Sequence, residues 1–163
     1  MEFFRGGPSN ELEEVEAWIV GMLRDGNDVF TAATDALFGG GKSKATKREV
    51  RDTDKGINEA QQDVRRTLMI HAAVNGPDLP LVLQYASIVK DAERVGDYSK
   101  NIYELIDLYG KPEKIAIDKK LIESAKNITG LFRKVKTAFI HGEEREALPL
   151  LDQLNTIKKG CDR

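Results

Sequence analysis

The chain has 163 residues, 40% hydrophobic and 32% charged, which suits one or at most two compact domains with a sizeable core. Its 25 basic and 27 acidic residues leave a net charge of -2, so no global field argues for nucleic acid as the main partner. A single cysteine, Cys161, excludes an internal disulfide, the opening MEFFRGGPSNELEEV lacks a signal-peptide core, and no run approaches the roughly 18 apolar residues that span a bilayer; a cytoplasmic protein is expected, peripheral to membranes only through partners.

Apolar residues at steps of three, four and seven, from Leu12 through Val15, Ile19, Met22, Val29 and Ala33 to Leu37, predict a first helix, capped by Ser9 or Asn10 and ended by Gly39, Gly40 and Gly41. Gly26 is a weak point within it. The second helix is expected from near Lys44 to Val74, carried by Val50, Ile57, Val64 and Leu68, with NGPD forcing a turn after it. Asp78 can cap the third helix and Pro80 fits its first turn; Val82, Tyr85, Val89, Ala92, Ile102 and Ile106 carry it to about Tyr109, where YGKP ends it. A fourth helix from Asp118 is expected to bury Leu121, Ala125, Ile128, Phe132, Val135 and Phe139 and to stop near HGEE. In the fifth, Leu150, Leu151, Leu154 and Ile157 share a side, and Pro149 implies a start near Glu146 or a bend.

No β-type alternation of useful length appears, so the fold class is all-α, an antiparallel bundle. Three helices of about 30 residues are each roughly 45 Å long and match in length. They define a three-helix bundle over residues 9–110, and residues 116–163 supply two further helices of an incomplete second unit. Trp18 belongs in the core or at an interface.

The chemistry-bearing stretch is KDAERVGDYSKNI, residues 90–102. Glu93 and Asp97 are spaced i, i+4, so their carboxylates stack on one face at a cost of a few tenths of a kcal/mol unless something offsets the repulsion. Local pairing, Lys90 with Glu93 and Arg94 with Asp97, is the plain offset. A bound cation is the other. Asp54 and Asn58 have the same spacing on helix two, and antiparallel packing would gather the four oxygen-bearing side chains, a donor set suited to Mg²⁺, Mn²⁺ or iron rather than structural zinc. Glu59 and Asp63 repeat the spacing about 100° further round and are expected on a solvated face.

The segment GPDLPLVLQYASIVKDAERVGDYSKNIYEL resembles the helix-three signature of the PhoU family of phosphate-uptake regulators, through Pro77, Asp78, Leu79, Asp91, Glu93, Arg94, Gly96, Asp97, Asn101 and Ile102. VRDTDKGINEAQQDV is similar to its helix-two pattern, with Asp54 and Ile57 in place and Asn58 where an acid is usual. The resemblance implies two repeats of a three-helix bundle, the second incomplete here. It also implies a divalent metal (Mg, Mn, Fe or Zn) held by Asp54, Glu93 and Asp97, with Asn58 the weak fourth ligand. By the same resemblance the partners would be a phosphate ABC transporter ATPase and a sensor histidine kinase, and the chain a homodimer.

Other candidates are weaker. His71 and His141 have no second His or Cys at ligand spacing, and His71 reads as a packed or helix-end residue. GGGK at 39–42 lacks the strand and remaining residues of a phosphate loop. Lys42, Lys44, Lys47, Arg48 and Arg51 are interleaved with acids and read as a solvated face. No nucleophile stands with a base and an orienting group, so a regulator is expected rather than an enzyme. The alternatives are an accessory subunit of another phosphate or anion permease and, further off, a carboxylate-bridged metalloenzyme, for which the E-x-x-H pairs of di-iron bundles are missing.

Overall fold

A computed structural model describes residues 10–40, 44–75, 78–109, 118–142 and 144–161. The described residues form α1 (Asn10–Asp35), a single π turn (Ala36–Gly40), α2 (Lys44–Val74), α3 (Leu79–Tyr109), α4 (Lys119–His141) and α5 (Glu144–Cys161). The fold is all-helical, as expected. α2 and α3 end where the periodicity and the turn residues place them. The capping choice of Ser9, the Gly41 stop and the Lys42 part of the basic cluster lie outside the described residues.

The three long helices pack mutually through one repeating pattern. On α1 and the π turn after it the buried positions include Leu12, Val15, Ile19, Met22, Gly26, Val29, Ala33 and Ala36, and on α3 they include Val82, Tyr85, Val89, Ala92, Gly96, Ser99, Tyr103 and Ile106. Both series alternate steps of three and four, the spacing that keeps a narrow seam facing its neighbours along many turns. α2 follows with Val50, Asp54, Ile57, Val64, Leu68 and His71. Two of these α2 residues carry ionisable groups at seam positions, and a group buried there needs a partner.

Gly26 is a close-packing point and not merely a weak one. A Cβ on it would lie 3.2 Å from Val95 Cγ1, so its bare backbone lets α1 and α3 approach.

α4 docks on α1, and α5 packs mainly on α4. Phe30 and Phe132 meet at 6.0 Å, and Phe139 stands edge-on to Tyr85 at 6.5 Å. Asp118 caps α4 by accepting from the Lys120 N–H at 2.9 Å. Gly142 ends α4 at φ 66, a left-handed conformation that costs glycine nothing. The buried face of α4 differs from the expected one: Ala125 and Leu131 are buried, whereas Leu121 and Val135 are exposed. The helix lies outside the three-helix bundle, seated on α1 and packed in turn by α5, so fewer of its apolar positions are enclosed than in a bundle member.

α5 begins at Glu144, ahead of the expected start, and runs through Pro149. Its Leu148, Leu151 and Leu154 are about half exposed. Pro149 removes one N–H from the ladder and crowds the preceding turn, a local cost of about 3 kcal/mol. Pro149→Ala is therefore expected to slow amide hydrogen exchange along α5; unchanged exchange rates would show that the proline does not strain this helix.

Candidate functional site at the α2–α3 seam

Asp54 sits at a seam position of α2, so its side chain is carried into the interface and is only 12% exposed. Its neighbour across the seam is Gly96, where an added Cβ would lie 3.4 Å from Asp54 Oδ1 and 3.3 Å from Ile57 Cδ1. Glycine at this point lets the carboxylate lie flat against the α3 backbone. Oδ1 is buried there without a hydrogen-bond partner among the described residues.

The other oxygen is held. Lys100, one turn beyond Gly96 on α3, donates from Nζ to Asp54 Oδ2 at 3.2 Å and reaches Asp97 Oδ1 at 3.5 Å. An unpaired carboxylate buried to this degree costs several kcal/mol, which the lysine offsets. The Asp97–Lys100 contact is a weaker one, because the Asp97 side chain is 45% exposed and water screens it. The hydrogen bond to Asp54 raises the Lys100 pKa, outweighing partial desolvation, so the ammonium is charged at any physiological pH.

The four expected ligand residues are not equally gathered. Asp54 and Asp97 meet across Lys100. Asn58 turns back along its own helix, donating from Nδ2 to the Asp54 backbone carbonyl at 3.0 Å. Glu93 is half-buried one turn before Asp97. Among the described residues no three or more His, Cys, Asp or Glu side chains gather where they could share a metal ion. Two carboxylates already carrying an ammonium, with the neighbouring amide spent on backbone, do not fit a resident divalent ion.

The local pairing expected around these acids also runs differently. Arg94 donates to the Tyr98 hydroxyl at 2.7 Å, lies 5.6 Å from the centre of that ring, and approaches Asp91 at 3.8 Å. Glu59 and Asp63 are exposed, as expected, and pair in water with Lys55 at 3.4 Å and Arg66 at 3.5 Å.

A second ion cluster was not anticipated. His71, buried at a seam position near the end of α2, has Nδ1 2.9 Å from Glu11 Oε2 of α1 and Nε2 2.9 Å from Asp78 Oδ2 at the start of α3. Asn75 places its amide 3.2 Å from the same Nδ1. The hydrogen bond to Glu11 leads in raising the His71 pKa, with Asp78 adding to it against the cost of burial. Asp78, expected as a helix cap, thus serves as a carboxylate partner to the imidazole. The signal in the sequence was the seven-residue spacing Val50, Ile57, Val64, His71, which puts the imidazole inside.

Nearby, the buried Tyr85 hydroxyl donates to Glu16, and burial leads in pushing the phenol pKa upward. A cleft of about 520 Å³ between α1 and α4, lined in part by Thr31, Asp35, Phe38 and Lys126, shares no residue with either cluster.

A family model described as PhoU domain matches residues 19–106, more than half of the chain, and spans both α2 and the acidic stretch of α3. No curated protein and no solved structure matches the chain.

Proposed function

The chain belongs to the PhoU family, a family of phosphate-transport regulators, and we propose that it is a helical adaptor that regulates phosphate uptake by binding the ATPase subunit of a phosphate ABC transporter and a sensor histidine kinase. The observation that carries this reading is the match over residues 19–106, which takes in all of α2 and the DAERVGD stretch of α3. The architecture suits the role. Long rigid helices hold a fixed surface, and exposed Met69, Ile70, Val74, Leu83 and Leu108 on α2 and α3 offer apolar contacts to another protein.

The proposal extends to organisation. α1 to α3 act as the first three-helix unit, and α4 with α5 as the opening of a second. The adaptor works in the cytoplasm as a homodimer and reaches the membrane through the transporter. No described helix is long and apolar enough to cross a membrane, which is compatible with that role.

Purified transporter ATPase and the cytoplasmic part of the kinase, each immobilised separately, provide the test. Retention of the full chain by both is expected, along with altered phosphate uptake in cells that lack it. Binding to a permease and to neither of these proteins would replace the adaptor reading with that of an accessory transporter subunit.

A further inference from the structure

We propose that Lys100 is a tethered cation standing in for a bound metal: its ammonium, carried on α3 and set between Asp54 and Asp97, neutralises the acidic face from within the chain. The geometry supports this at three points. The ammonium lies 3.2 Å from one carboxylate and 3.5 Å from the other, so it occupies the place where oxygens of the two helices converge. Asp54 Oδ1 is walled off against Gly96 and buried, which leaves one oxygen of that carboxylate facing the shared space, and Lys100 holds it. Asn58, the remaining α2 donor, is committed to the Asp54 carbonyl.

A divalent ion entering this face must first displace Lys100, because an ammonium and a dication within a few ångströms repel strongly in a partly desolvated seam. The Asp54 and Asp97 carboxylates are therefore balanced by a side chain already present. The face joins α2 to α3 without waiting for an ion, and its integrity does not follow metal supply.

Equilibrium dialysis of the full chain against Mn²⁺, followed by elemental analysis, tests this on four proteins: wild type, Asp54→Asn, Lys100→Met, and the double variant Lys100→Met with Asp54→Asn. Wild type is expected to hold no more Mn²⁺ than Asp54→Asn. Lys100→Met is expected to bind about tenfold more tightly than wild type or better, the least that removing an adjacent positive charge should give, and to lose that gain in the double variant. Wild type binding Mn²⁺ as tightly as Lys100→Met, or Lys100→Met binding none, would overturn the proposal. Should Lys100→Met unfold, its refolding on addition of Mn²⁺ is the supporting result and its failure to refold the overturning one. Neither outcome depends on which protein the chain regulates.

Discussion

Ile57→Ala is expected to lower the free energy of unfolding by about 2–5 kcal/mol, the range for truncating a fully buried aliphatic side chain. Ile57 is 1% exposed and its Cδ1 lies against the bare backbone at Gly96, so truncation leaves a void where α2 packs directly on the α3 backbone. Collapse into that void is hindered on the α3 side, because a backbone held by its own hydrogen bonds cannot follow a lost methyl group. The void also borders Asp54, whose carboxylate depends on dry, close packing for its pairing with Lys100. Urea unfolding followed by helical circular dichroism measures the effect, with the exposed Glu59→Ala expected to stay within about 0.5 kcal/mol of wild type. A loss below about 1 kcal/mol for Ile57→Ala would mean that this seam is not packed as described.

The second large effect is a dependence on pH that originates at His71. Both ring nitrogens face carboxylates on other segments, Glu11 and Asp78, and the side chain itself is fully buried. The folded protein therefore holds the proton more tightly than the unfolded chain, where a histidine titrates near 6.5. A raised folded pKa means that this contribution is fully present below about pH 6.5 and is lost as pH rises through the folded value. Stability is expected to decline over that window. His71→Gln should remove the decline and cost about 1–3 kcal/mol at pH 6, the scale of charge-assisted hydrogen bonds whose acidic partners are half in water. Unfolding curves at pH 6 and pH 9 decide the matter, and a wild type with the same pH profile as His71→Gln would refute the assignment.

Much of the fold was legible because the punctuation of the chain is strong. NGPD and YGKP interrupt a long apolar period, so the limits of α2 and α3 follow from residues that cannot continue a helix. α4 was read less well. Its apolar residues occupy more than one face, and only the docking onto α1 through Phe30 and Phe132 selects which of them are covered. That choice is tertiary and leaves no trace in the spacing.

The candidate site divides in the same way. The i, i+3 relation of Asp97 to Lys100 was available in the sequence, but the contact from Lys100 to Asp54 spans 46 residues and depends on how α2 is rotated against α3. Glu11 and His71, 60 residues apart, became neighbours for the same reason. A strict seven-residue count along α2 puts His71 on the line of Val50, Ile57 and Val64, and Asp54 on the parallel line that reaches Leu68, flagging both as groups in need of partners. Which side chains answer that need is decided by the other two helices.

Among the described residues α4 is seated mainly on α1, with Phe139 adding an edge-on contact to Tyr85 of α3, whereas α5 leans mainly on α4. A load applied at α5 by a docked protein thus reaches the bundle through α4, by way of α1 toward Glu11 and by way of Phe139 to Tyr85 and its partner Glu16. α4 is thus the link between the two ends of the molecule, and loosening its seat uncouples them.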